Sequence, residues 1–128
     1  MLDIEKSAAR KRLEAYVAET SKRMGTFPIY EIVLFTRPGT EMDELGWPDT
    51  GTSDHPGFYY ELDTAIQALN ENWGDMFECC FIAGLILPKF PGTYSFCHAD
   101  ERMYFLWDDE RRGFFEAEEP ATLEHLLY

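Results

Sequence analysis

The chain has 128 residues, 45% hydrophobic and 16% aromatic, with 11 Lys and Arg against 24 Asp and Glu for a net charge of -13. That length fits a single domain, residues 1–128, with a core that needs no disulfide or metal staple, and the apolar content excludes a disordered chain. A field of this sign repels nucleic acid and anionic membrane, and it speeds encounter with basic partners at low salt.

The charge is uneven. Up to Met24 there are six Lys and Arg against four acids, a net of +2, and the remainder has five against twenty, a net of -15. The first residues, Met-Leu-Asp-Ile-Glu-Lys, open with charge rather than an apolar run, so no secretory signal is expected and the cytoplasm is the default location. Cysteine usage agrees with that location: there are three, and Cys79 and Cys80 are adjacent in an apolar run, where Cys behaves as a small hydrophobe.

In chain order, residues 3–24 read as the first helix, with Asp3 as N-cap and an apolar stripe of Ile4, Ala8, Leu13, Tyr16, Val17 and Met24. Arg10, Lys11 and Arg12 form a basic cluster on it. A solvated face, or one docked on the acidic body, is preferred to a phosphate contact because of the overall charge. Gly25 and Pro28 punctuate the start of a strand over 29–36, which is almost entirely β-branched, aromatic or aliphatic apart from Glu31. From Arg37 to Pro56 no period of 2 or 3.6 is sustained, and the stretch reads as a long irregular loop. It sets Leu45 and Trp47 among Glu41, Asp43, Glu44 and Asp49. Trp47 is either an interface aromatic or a plug that folds back into the core, with the plug preferred.

The central stretch runs from Gly57 to Phe90. Phe58, Tyr59 and Tyr60 are strand formers, Asp63 suits an N-cap, and Leu62, Ala65, Ile66, Leu69 and Trp73 give a helical stripe that Gly74 would end. Residues 81–87 then read as a strand buried on both faces and closed by Pro88 and Pro91. After a connection over 92–101, residues 102–107 and 114–118 read as a β-hairpin turned over 108–113. Phe115 and Ala117 would point one way, and Phe114, Glu116 and Glu118 would lie on a wet face. Pro120 opens a short final helix over 121–127 that would bring Leu123, Leu126 and Leu127 onto the sheet. This order gives an α+β domain: a mainly antiparallel sheet of four to five strands with helices covering one side and an N-terminal helix that need not dock tightly.

The residues offer little chemistry. Adjacent pairs such as Cys79 with Cys80 and Cys97 with His98 point to opposite faces of a strand, so neither supplies two ligands to one metal. Cys97 with His98 or His55 is the only candidate thiol pair, and it lacks a nucleophile motif. Glu31 and Glu78 are the only acids in an apolar context. No Gly-rich phosphate loop or dinucleotide fingerprint is present, so no cofactor is expected and a non-enzymatic role is favoured. Binding remains. The candidate partner-contacting residues are Glu41, Asp43, Glu44, Trp47 and Asp49 in the long loop, Asp108, Asp109 and Glu110 in the hairpin turn, and Glu116 and Glu118 after it. They would meet a basic protein surface, with the charges of DNA recognition exchanged. Self-association through Trp47, Tyr104 or Phe114 is the alternative.

The stretches YEIVLFTRPGTEMDELGWPDTG, YYELDTAIQALNENW and MYFLWDDERRGFFEAEEP resemble small acidic proteins encoded on bacterial mobile elements and phages. The resemblance carries no catalytic residue. It implies a setting in which such proteins counter host defences by imitating nucleic acid or by blocking an effector protein.

Overall fold

The run Ala83–Pro88 has no charged side chain and is buried throughout, so it needs neighbours on both sides and cover on both faces. A computed structural model, which describes residues 5–92 and 101–123, provides both. This run lies in the middle strand of a five-stranded antiparallel sheet ordered β2-β1-β3-β4-β5. The strands are β1 Ile29–Phe35, β2 Ser53–Tyr59, β3 Ala83–Lys89, β4 Met103–Asp108 and β5 Gly113–Ala117. The α+β class and the antiparallel sheet are those expected from the sequence. Pro88, expected to close β3, lies within it opposite Tyr30. It is tolerated there because β4 pairs with β3 only as far as Ile86, so Pro88 lies beyond that ladder.

Alternation divides the core. Ile32, Leu34, Ile86, Met103, Phe105 and Phe114 project to one face, where α1 (Ala8–Met24) and α2 (Leu62–Asn70) lie. Val33, Phe35, Ala83, Leu85, Leu87 and Tyr104 project to the other, together with Leu123 of a 3-10 turn, Ala121–Leu123. The helices therefore cover one side, as expected, and the second side is closed as well. Leu126 and Leu127 lie outside the described residues. Phe114, expected on a wet face, is fully buried in the same cluster as Leu69 of α2, and a Cβ added at Gly113 would collide with the Asn70 carbonyl at the end of that helix.

The helix ends differ from their expected positions. The N-cap of α1 is Ser7, whose Oγ accepts from the Arg10 N–H at 3.1 Å, and the expected cap Asp3 lies outside the described residues. α2 is preceded by Glu61, while Asp63 lies inside its first turn and pairs with Arg10. Gly74 does not end α2, which stops at Asn70; it lies in a kinked 3-10 segment, Trp73–Cys79.

α1 packs Leu13 and Thr20 fully against the body and sets Tyr16 edge-to-face on Phe90, with centroids 6.3 Å apart. Its basic cluster faces acids of the body: Arg10 pairs with Asp63, and Arg12 Nε lies 3.2 Å from Glu101. The docked reading of that cluster therefore holds for Arg10 and Arg12, while Lys11 is exposed. Leu13→Ala should lower stability by about 3 kcal/mol, as for a buried leucine whose site cannot collapse. Urea unfolding that kept the wild-type midpoint would show that α1 is not part of the cooperative core.

Candidate binding surface

The stretch between β1 and β2 is an ordered extension of their hairpin rather than an irregular loop. Thr36 N–H donates to Thr52 O at 3.1 Å, Arg37 N–H to Thr50 O at 3.0 Å, Asp49 N–H to Glu41 O at 2.7 Å and Asp43 N–H to Trp47 O at 2.7 Å. Met42 and Pro48 form a further bridge. The result is a two-stranded arm over residues 36–52.

Asp43 builds the tip. Its Oδ1 accepts from Leu45 N–H at 2.8 Å and from Trp47 N–H at 3.0 Å, while its carbonyl accepts from Gly46 N–H at 3.1 Å. Gly46 has φ 82°, the left-handed conformation that a three-residue hairpin loop needs after its type I turn. This short Asx-closed turn directs apolar side chains outward. Leu45 is 83% exposed and Met42 and Trp47 are each 55% exposed, so Trp47 is not the core plug that the sequence suggested. With its backbone paired across the arm and Pro48 buried beside it, Trp47 has no route into the core.

The root of the arm is held on the second face of the sheet. Tyr104 Oη donates to Pro38 O at 2.6 Å, and Thr122 Oγ1 donates to Gly39 O. Gly39 has φ 80°, and a Cβ there would strike Leu123. Arg37 Nη1 pairs with Asp49 Oδ2 at 2.6 Å across the arm. Burial, with a smaller contribution from the Glu119 carboxylate, pushes the Tyr104 phenol up to about 12.

The other candidate acids are arranged differently. Asp108 Oδ1 accepts from the Glu110 and Arg111 N–H groups at 3.0 and 3.1 Å, and its Oδ2 lies 2.8 Å from Arg111 Nε. The Arg111 bonds hold the Asp108 carboxyl below the usual range. Asp109 pairs with Arg112 at 3.0 Å. Two of the three acids in this turn are thus matched by arginines of the same turn, leaving Glu110. Glu116 accepts from Ser7 Oγ at the start of α1, and no cation among the described residues pairs with Glu118. In the arm, no cation among the described residues pairs with Glu41 or Glu44 and Asp43 is engaged by backbone, while Asp49 is matched by Arg37. The arm root and the β4–β5 turn share one end of the sheet, because Phe35, Ala83 and Leu106 are in register. Glu116 and Glu118 lie toward the other end.

Of the aromatics considered for self-association, Tyr104 and Phe114 are buried and only Trp47 is accessible. Among the described residues no three His, Cys, Asp or Glu stand close enough together to hold a metal ion, and no helix is long and apolar enough to cross a membrane. Cys97 and His98 lie outside the described residues. Glu31, one of the two acids in an apolar context, lies 3.4 Å from His55 Nδ1, and Glu78 is exposed. Sequence reasoning did not single out the exposed aromatic pair Phe58 and Tyr60, or the exposed ring of Trp73, which it placed in a buried helical stripe. A Pro within the β2 edge was the available signal for the first two. The chain shows no significant match to any family model, curated protein or solved structure.

Asp43→Ala removes both side-chain acceptors of the tip. Amide exchange at Leu45 and Trp47 should accelerate roughly fivefold or more, with global stability falling by no more than about 1 kcal/mol; unchanged exchange would mean that the tip is held by other contacts. For Tyr104 the folded phenol titrates above its unfolded value of 10.0, so its contribution is intact below pH 10 and is lost as pH rises toward about 12. Tyr104→Phe should cost about 1 kcal/mol at neutral pH through the lost bond to Pro38 and should flatten that alkaline decline in urea midpoints.

Proposed function

We propose that this protein is a non-enzymatic, acidic binding module of the cytoplasm whose hairpin arm docks on a basic protein surface. The observation that carries this reading is the arm tip: Leu45 and Trp47 stand exposed beside Glu41 and Glu44, with which no cation among the described residues pairs, on a backbone fixed by Asp43. Large apolar side chains on a preorganised turn supply binding energy at little ordering cost, and flanking charge sets the encounter rate and the choice of partner.

In its sharper form the partner is a nucleic-acid-handling effector of a host defence system, of the CRISPR or restriction type, whose basic groove the acids occupy in place of phosphates. The net charge of -13 supports that form, as does the resemblance to small acidic proteins of phages and mobile elements. No cofactor takes part.

The test begins with capture of partners from bacterial lysate on the purified protein at low and high salt. The retained partner is then titrated with variants. Trp47→Ala should weaken binding by about 2 kcal/mol, and Glu41→Lys with Glu44→Lys should lower the on-rate and its salt dependence. Reversal at Asp108, Asp109 and Glu110, or at Glu116 and Glu118, should cost less than reversal in the arm. Normal binding by all of these variants would reduce the acids to ordinary surface. Concentration-dependent mass of the isolated protein, lost in Trp47→Ala, would favour self-association instead.

A further inference from the structure

On the helix-bearing face, beside the β2 edge, lies a cleft of about 310 Å³ lined by Ile32, Pro56, Gly57, Tyr59, Trp73 and Met76. Its volume is at the lower end of the range for small-ligand sites, ~300–1,000 Å³, and suits one side chain rather than a cofactor. Tyr59 and Trp73 form two of its walls, meeting edge to face with centroids 6.0 Å apart and planes at 64°. No described residue lies within 4 Å of a Cβ built on Gly57 or Gly74, the glycines at its mouth.

The Trp73 ring is held in place. Its Nε1–H donates to Glu71 Oε1 at 3.1 Å, and Glu71 Oε2 accepts from Gln67 Nε2 at 2.8 Å, two bonds that keep this carboxyl below its usual range and hence charged. Asn72 and Asp75 flank it with left-handed backbones at φ 53° and 58°. Asn72 Oδ1 accepts from Phe77 N–H at 3.1 Å and its Nδ2 donates to Asp75 Oδ1 at 3.3 Å, which fixes the segment. Backbone of this kind persists only where its surroundings enforce it.

Elsewhere the protein covers aromatic faces with its own arginines. The Arg111 guanidinium lies 3.7 Å from the Phe115 ring centroid, and Arg112 lies 5.1 Å from the Trp107 ring and 5.6 Å from Phe77. The Tyr59 and Trp73 corner receives no such cover from any described residue, no Lys or Arg lines the cleft, and the nearest charges along Trp73's segment are the acids Glu71 and Asp75.

We propose that this cleft receives an arginine side chain from the basic partner. The inference rests on the reading that the partner surface is basic, and it adds an anchor separate from the arm. Charge complementarity selects a cation. Among cations the planar, weakly hydrated guanidinium stacks on Trp and Tyr while its donors reach a carboxylate, which a lysine ammonium does less well. A second copy of the chain is a poor occupant, because each copy carries -13 and the β2 edge is guarded against strand addition by Pro56 and the register shift beside it.

The test uses the wild-type protein and a blocked Ala-Arg-Ala peptide, with the citrulline and lysine analogues as comparison arms, followed by NMR at the Trp73 indole N–H and the Gly57 and Gly74 amides. The arginine peptide should give saturating shifts at these three positions, weakened by salt, with the uncharged citrulline analogue binding about tenfold more weakly and lysine falling between. Trp73→Leu should abolish the response, and Trp47→Ala should leave it unchanged. Equal response to citrulline, or no localised shift, overturns the proposal. Loss of the peptide response alongside arm variants that still lose the captured partner withdraws the cleft alone. A filled cleft alongside arm variants that bind normally withdraws the arm alone.

Discussion

The constraint on which the fold depends is the burial of β3 on both faces. A strand whose residues from Ala83 to Pro88 are all inaccessible cannot be the edge or the surface of anything, so two layers must be recruited to it. On one face α2 supplies Leu62, Ala65, Ala68 and Leu69, and α1 adds Leu13. On the other face Leu123 and the chain at Pro38 and Gly39 contribute cover, and they do so because Tyr104 and Thr122 bind the two carbonyls of that chain. The arm is therefore fixed at its root by the same requirement that makes the core. Its tip stands exposed where the hairpin runs on past Phe35, the last residue of β1.

The sheet and α2 were legible in the sequence because periodicity and composition agree there: apolar runs for β1 and β3, and a stripe at three- and four-residue spacing for α2. The arm was not. Its pairing is written in backbone bonds and in a few short side chains, Asp43 above all, while its sequence interrupts every apolar period with Gly, Pro, Thr and acid. Trp47 illustrates the difficulty. Composition makes a tryptophan a core candidate, and only the register that pairs Asp43 with Trp47 turns it outward. Asp63 is a similar case, a good cap by type that lies two residues past the actual cap position, Glu61, and is used instead to hold Arg10.

Charge in this molecule is segregated by role. Arg10, Arg12, Arg37, Arg102, Arg111 and Arg112 each lie within an ion pair of the fold, so most of the cationic charge is spent internally. Such pairs, where exposed, add little stability individually. Their larger effect is on the external field, which is left to acids that no cation among the described residues matches. Asp108 and Asp109 could be singled out from sequence as acids but not as neutralised ones, because the arginines three residues on fold back onto them only when the β4–β5 turn is formed.

That field bears on the exposed apolar side chains. Leu45, Trp47, Phe58 and Tyr60 together would be an aggregation hazard on a neutral protein, most of all near an open sheet edge. A net charge of -13 sets a repulsion between copies against such a meeting, and the bulge at Pro56 removes the flat edge on which the side chains would align. A basic surface feels the opposite force and is drawn to the same side chains. Acidity and exposed aromatic area thus act in opposite senses on two copies of the chain and in the same sense on any surface of opposite charge.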